Sequence, residues 1–174
     1  MNRESLRHII RGILFLIIQV LILKRISSGQ QWLWLYGEIF LYPSIILLLP
    51  FKLTRHYVTI IGFFLGLFID MFYDTVGVHA FALTAMAYGR GIILSYLEPR
   101  GGYQLTMSPT KQSMGINWLL AYTAISMFIF VFLYFTVEIF TFVYIGKILL
   151  KTIITFLLSM MVVMGYHMLF NPRK

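Results

Sequence analysis

The stretch IGFFLGLFIDMFYDTVGVHAFALTAMAY, residues 61–88, decides the fold of this chain. Gly62, Gly66 and Asp70 recur at intervals of four residues, so on a helix they share one face. The two glycines form a GxxxG pattern, which lets a second helix approach closely. Gly77 follows as a residue suited to a tight reversal. The stretch therefore predicts two apolar helices joined by a turn.

The composition of the rest of the chain points to the lipid bilayer as its solvent. Of the 174 residues, 60% are hydrophobic and only 11% are charged, whereas a soluble domain carries about 25% charged residues. A soluble domain of this size could not hide so much apolar surface from water. The chain has no cysteine, which excludes disulfides and thiolate metal sites.

Six apolar runs predict an all-α, polytopic membrane protein that forms a single membrane domain over residues 1–174. The predicted transmembrane spans cover residues 9–23, 32–51, 57–73, 75–97, 116–137 and 148–170. Pro43 is expected to kink or break the second span. Residues 98–115 are polar and form a predicted cytoplasmic loop, either a solvated link or a partner contact, and we favour the link. The aromatic residues expected at the membrane interfaces are Trp32, Trp34, Tyr36, Tyr57 and Trp118.

The distribution of charge predicts the orientation. With six spans and a cytoplasmic N-terminus, ten of the fourteen Lys and Arg residues, Arg90 among them, fall on the cytoplasmic side. This bias satisfies the positive-inside rule, so both termini are expected to be cytoplasmic. The formal net charge of +8 is therefore interpreted as a signal of membrane orientation. Because it is not interpreted as a phosphate-binding surface, nucleic acid is not an expected partner.

The sequence offers no convincing catalytic set. The four histidines, His8, His56, His79 and His167, fall near different predicted span ends, and there is no HExxH, GxSxG or Walker motif. Asp70 and Asp74 lie four residues apart on one helix, so they cannot face each other as a protease dyad does. His79 is expected to make a local hydrogen bond near Asp74. We therefore expect no enzymatic activity, no cofactor and no metal site.

One group of candidate residues is centred on Asp70. An acid at the membrane edge is costly unless it is paired or wet, so Asp70 is expected to accept hydrogen bonds from the turn before Gly77. The candidate helix-packing or partner interface comprises Gly62, Gly66, Asp70, Asp74 and Gly77. These residues have two alternative roles, and the sequence leaves both open. They either pack the two helices together with a capped turn, or they form the docking site of a partner helix.

A second candidate group is a polar pocket formed by Glu38, Asp70 and Glu138. These three acids all fall on the predicted non-cytoplasmic side, as do Lys147 and Lys151. An ion pair among them would join spans that are distant in sequence. Separate snorkelling of each side chain to the interface is the alternative, and it is slightly favoured.

The central block resembles the family of the rod-shape-determining protein MreD, a small polytopic protein of the bacterial inner membrane. The residues that carry this resemblance are GFFLGLFID at 62–70, Gly77, the run at 80–88 and Pro50 with its apolar flanks. The loop from EPRGGY at 98–103 to MGINW at 114–118 is similar to one branch of that family. The resemblance covers essentially the whole chain, including its length and layout.

The resemblance implies a non-enzymatic scaffold of the cell-elongation complex, which directs lateral peptidoglycan synthesis and cell shape. Its implied partners are a bitopic MreC-like protein, the MreB filament, RodA, a class B penicillin-binding protein and membrane lipids. The implied fold is similar to the membrane substrate-binding subunits of energy-coupling-factor transporters. A vitamin-type substrate-binding subunit of a transporter is therefore the alternative function, and it requires several polar residues to converge on one pocket.

Overall fold

The computed structural model describes residues 3–29, 37–104 and 108–169, and these residues form helices and irregular connections without a β-strand. The chain begins with helix α1, Arg3–Ile17. It continues without a break through a π-helical stretch, Ile18–Leu23, into α2, Lys24–Gly29. The first predicted span, residues 9–23, lies inside this unbroken helical segment.

The second predicted span is only partly a helix. Residues 32–36, which include Trp32, Trp34 and Tyr36, lie outside the described residues. Residues 37–43 form an irregular segment, and only Ser44–Leu47 forms a short helix, α3. The prediction of a helix over 32–51 is therefore wrong for residues 37–43 and 48–51. Pro43 explains the break, because it lacks a backbone N–H and caps the start of α3.

The other predicted spans coincide with four long helices: α4, Arg55–Tyr73; α5, Val78–Tyr96; α7, Ile116–Ile139; and α8, Ile145–Leu169. A short helix, α6, Lys111–Met114, lies in the loop between α5 and α7, and a 3-10 turn, Phe142–Tyr144, precedes α8. Among the described helices α4, α7 and α8 are long and apolar enough to cross a membrane. Helix α5 has the same length as α4 but carries His79 and Arg90, which lower its hydropathy.

Helix α7 is the centre of the fold. It packs against α5 on one side and α8 on another, and α4 packs against α5. In its most apolar stretch 44% of the residues are buried, compared with 28% in α4 and α8. The core around it is rich in large aromatic side chains, including Phe40, Tyr42, Tyr122 and Phe130, all fully buried. The surfaces of α4 and α8 that remain are apolar, as a surface facing lipid should be.

Candidate functional site

The glycine face of α4 is filled by α5 of the same chain. A Cβ atom added at Gly66 would lie 2.5 Å from Ala80 Cα and 2.7 Å from the His79 carbonyl oxygen. A Cβ atom at Gly62 would lie 2.9 Å from Ala87 Cβ. The small residues therefore let two backbones meet, as the GxxxG pattern predicts. Of the two alternatives for this face, the structure shows internal packing, and no room is left there for a partner helix.

Asp70, near the end of α4, caps the beginning of α5 and so links the two helices of the hairpin. Its Oδ1 accepts hydrogen bonds from the Thr75 hydroxyl at 2.5 Å and from the His79 backbone N–H at 3.0 Å. Its Oδ2 accepts from the Ala80 N–H at 2.9 Å. The carboxylate thus satisfies two N–H groups that have no partner within the helix, and its charge favours the positive end of the helix dipole. The expected hydrogen bonding of Asp70 to this turn is present.

The turn between α4 and α5 uses two residues with left-handed backbone conformation. Gly77 has φ +81° and begins α5, as expected for a tight reversal. Asp74 has φ +54° and ends α4, a conformation that Asp and Asn tolerate. The side chain of Asp74 is exposed. Asp74 therefore shapes the turn and takes no part in the cap.

His79 makes a local hydrogen bond through its backbone, and its ring contacts residues that are remote in sequence. Its backbone N–H binds Asp70, and its ring Nδ1 lies 2.7 Å from the Tyr42 hydroxyl. The imidazole is fully buried among aromatic rings; those of Tyr73 and Tyr134 have centroids 4.7 and 4.8 Å away. His79 thus joins the hairpin to the irregular segment.

Of the three acids of the predicted polar pocket, Glu38 and Glu138 interact electrostatically with each other and with Lys151, whereas Asp70 stands apart. Glu38 Oε1 accepts a hydrogen bond from the Tyr134 hydroxyl at 3.3 Å, while Glu138 pairs with Lys151 at 3.5 Å. In the described part of the chain no hydrogen bond or ion pair joins either of them to Asp70, whose oxygens are occupied by the α5 cap. The Lys151–Glu138 pair joins α7 to α8, so the slightly favoured separate snorkelling is wrong for these two residues.

The irregular segment at 37–41 is held by side chains that the sequence analysis did not single out. On one side the Glu38 N–H donates to Thr155 Oγ1 and the Phe40 N–H donates to Ser159 Oγ, each at 2.8 Å. On the other side Gln19 Nε2 donates to the Ile39 carbonyl at 3.0 Å, and the Leu41 N–H donates to Gln19 Oε1 at 2.7 Å. Alternate residues of an extended chain point to opposite sides. Non-helical backbone is tolerated at membrane depth only when its polar groups are satisfied in this way.

A matched pair of serines tests this role. Ser159 and Ser126 are both fully buried on long helices, but the Ser126 hydroxyl has no hydrogen-bond partner. Ser159→Ala should lower the free energy of unfolding by about 1–3 kcal/mol, because it leaves the Phe40 N–H unpaired. Ser126→Ala should be neutral or stabilising. Thermal unfolding of the two variants in detergent measures the difference, and equal midpoints would contradict the assigned role of Ser159.

Arg90 was predicted to be a cytoplasmic topology signal, but the structure buries it. Its Nε donates to the Tyr122 hydroxyl at 2.9 Å, and its Nη2 donates to the Leu49 carbonyl at 2.5 Å. The Tyr122 hydroxyl in turn donates to the Leu47 carbonyl at 3.2 Å. Arginine and tyrosine together therefore satisfy carbonyls at and just beyond the C-terminal end of α3. An arginine inside an apolar helix was the one sequence signal for this role.

The loop between α5 and α7 is attached to the helix ends at its described residues. The Tyr103 hydroxyl donates to the Leu94 carbonyl at 2.7 Å, and the Tyr103 ring stacks on Phe51 with centroids 4.5 Å apart. Trp118 Nε1 donates to the Leu97 carbonyl at 2.7 Å. Desolvation by burial raises the pKa of Tyr103 to about 12. Both aromatic side chains thus pack against this end of the fold.

Asp70, Gln19, Thr155, Ser159 and Arg90 each have structural partners. Within the described residues no group of three His, Asp or Glu side chains is placed to hold a metal ion. No protein-family model, curated protein or solved structure matches this chain. What the arrangement can do is hold a hairpin and a bent segment in fixed positions in the membrane.

Proposed function

We propose that this chain is a non-enzymatic scaffold of the bacterial cell-elongation complex, placed in the inner membrane and bound to a bitopic MreC-like protein. One observation carries the proposal: the residues that resemble the MreD family lie together and determine the packing and the turn of one helix hairpin. Gly62, Gly66, Asp70 and Gly77 together close the α4–α5 hairpin. A scaffold needs such rigidity, because a partner can be positioned only by a surface that does not move.

The proposal includes six crossings with both termini in the cytoplasm and a likeness to the membrane subunits of energy-coupling-factor transporters. The segment at 3–29 and the helices α4, α5, α7 and α8 supply five crossings. The remaining crossing includes residues 37–51. Its backbone groups are met by Gln19, Thr155 and Ser159, which supports a path through the membrane interior.

The partner surface belongs on the outer face of α4, opposite the glycines. Phe64 is 63% exposed and Met71 is 76% exposed, and with Tyr57 and Ile60 they form one stripe along the helix. A single-span partner can pack on such a stripe without disturbing the α4–α5 contact. The proposed docking site therefore lies on the outer face of α4 and not in the glycine groove that the sequence suggested. The proposed partner, an MreC-like protein, is unchanged.

Co-purification of the full chain with its MreC-like partner tests the proposal. The double change Phe64→Ala with Met71→Ala should reduce the retained partner about tenfold, since two large interface side chains are lost. The matched control is Leu157→Ala with Met161→Ala on α8, where the exposures are 53% and 67%. This control should retain the partner.

Two outcomes would count against different parts of the proposal. Equal retention by both double variants would show that the α4 stripe is not the interface. Failure of the unaltered chain to retain any MreC-like protein, in a membrane extract where both are produced, would overturn the scaffold function itself.

A further inference from the structure

The turn between α7 and α8 is an apolar surface at one end of the fold. The spans predicted from the sequence leave residues 138–147 as an external link, yet residues 139–146 read IFTFVYIG and carry no charge. Phe140 is 87% exposed, Val143 is 83% exposed and Tyr144 is 58% exposed. Large exposed apolar patches mark surfaces that bind a partner or a membrane, so the turn is a contact surface.

Phe140 holds a backbone conformation that is unfavourable for its residue type. It ends α7 with φ +49° and ψ +22°, in the left-handed region, where helices usually place glycine or asparagine. A bulky residue in this region is an outlier, and such strain is found mainly at functional positions. The exposed side chain gains little packing within the chain, so the contact that offsets the strain lies outside the chain.

The turn between α4 and α5 lies at the same end of the fold and has a different character. The His79 ring, in the first turn of α5, packs on the Tyr134 ring near the end of α7 with centroids 4.8 Å apart. The α4–α5 turn also uses a left-handed residue, but this residue is Asp74, whose exposed polar side chain suits water. The two turns therefore favour different surroundings.

Lipid is the partner that fits the α7–α8 turn, because the apolar surface of the turn continues onto α8. Ile145, Leu149 and Leu150 are also exposed, and they belong to a helix that is long and apolar enough to cross a membrane. In the membrane these side chains face lipid. The same lipid can cover the neighbouring side chains of the turn without a further partner.

Polar groups at this end limit how deeply the turn can enter the bilayer. Phe140 and Thr141 lie between the helices in irregular backbone, which needs water or protein partners that the hydrocarbon core does not offer. The Lys151–Glu138 ion pair lies beside the end of α7, and charges are costly at greater depth. The headgroup region meets both requirements, because water reaches the backbone there while apolar side chains reach the acyl chains.

The geometry points to the α7–α8 turn as an interfacial anchor that inserts into the boundary between headgroups and acyl chains of the bilayer. Phe140, Val143 and Tyr144 are the side chains that insert. The anchor sets the depth of α7, the central helix of the fold, because interfacial aromatic residues hold a helix end at the membrane surface. The α4–α5 turn, by contrast, stands in water.

Spin labelling of the full chain in dioleoyl phosphatidylcholine vesicles tests this depth. The chain has no cysteine, so one introduced cysteine carries a nitroxide at a single position. Val143→Cys reports on the α7–α8 turn. Val76→Cys is the matched control, because Val76 is a fully exposed valine in the α4–α5 turn. Leu157→Cys, which lies about 18 Å along α8 from Ile145, marks the hydrocarbon interior.

The measured quantity is the ratio of nitroxide relaxation by oxygen, which concentrates in lipid, to relaxation by a water-soluble nickel chelate. We expect the ratio at Val143 to be several-fold higher than at Val76 and lower than at Leu157. Tyr144→Cys provides a second label position in the same turn, so the result does not depend on one variant.

Each other outcome overturns the inference. A ratio at Val143 equal to that at Val76 would place the α7–α8 turn in water. A ratio equal to that at Leu157 would place it in the hydrocarbon interior. Weak relaxation by both oxygen and the nickel chelate would show that protein, such as a second copy of the chain, covers the turn in place of lipid.

Discussion

Gly66→Ala should lower the free energy of unfolding by about 1–3 kcal/mol, the range seen when extra methyl groups are forced into packed interiors. The added Cβ would lie 2.5 Å from Ala80 Cα and 2.8 Å from the Ala80 backbone nitrogen. Backbone atoms cannot swing aside as the end of a side chain can. Helices α4 and α5 would therefore have to separate along the hairpin, and Gly66→Leu would separate them further.

The matched control for this prediction is Gly89→Ala. Gly89 also lies inside a long helix, α5, but an added Cβ there meets nothing within 4 Å. Removing a glycine from a helix interior stabilises it by roughly 0.5–1 kcal/mol, so this variant should unfold at the same temperature as the unaltered chain or slightly higher. Thermal unfolding in detergent compares the two. If both alanine variants unfold together, the close contact between α4 and α5 is not present.

Asp70→Asn should destabilise the protein by about 1–3 kcal/mol, although it changes neither volume nor shape. The amide oxygen can still accept one backbone N–H. The amide nitrogen is a donor, so it would face either the His79 or the Ala80 N–H, and that buried N–H would lose its acceptor. The lost negative charge also weakens the interaction with the α5 dipole.

Asp74→Asn is the matched control, since it makes the same chemical change four residues away. Asp74 is exposed, and Asn adopts its left-handed backbone conformation readily. We expect its unfolding midpoint to be unchanged, whereas that of Asp70→Asn falls. A loss of the same size in both variants would mean that charge at this end of the hairpin matters and the cap does not.

The α4–α5 hairpin could be predicted because its determinants are local. Gly62, Gly66, Asp70 and Gly77 lie within sixteen residues of sequence. Their spacing places them on one face and at one turn. The capping bonds from Asp70 reach only nine and ten residues along the chain. All four residues favour the same local structure, a tight helix hairpin. Sequence patterns are informative when local preferences agree in this way.

The irregular segment could not be predicted, because its partners are remote and chemically ordinary. Residues 37–42 are mostly apolar, and such a run does not distinguish a helix from an extended chain by periodicity. Pro43 predicted a break but not what would satisfy the freed backbone. The partners of Glu38 and Phe40 are 117 and 119 residues away. Thr155 and Ser159 are common residue types in membrane helices, so nothing marked them in the sequence.

The remaining differences have the same origin. The sequence alone makes Arg90 one of many cations that report orientation, because its Tyr122 partner lies 32 residues away in another helix. Lys151 was one of two equivalent lysines, and only the packing of α7 against α8 brings it to Glu138. Charges in a membrane helix can snorkel or be buried, and tertiary packing decides between the two.

The remote hydrogen bonds of residues 38 and 40 have a consequence for biogenesis. Synthesis runs from the N-terminus, and at 5–20 residues per second the hydroxyls of α8 follow on the order of ten seconds later. During that interval the N–H groups of Glu38 and Phe40 lack the acceptors that they have in the finished fold. Until α8 arrives, these N–H groups must bond within a transient helix, to water or to the insertion machinery, because lipid offers no acceptor. The irregular conformation of residues 37–41 can therefore become fixed only after the last helix has been made.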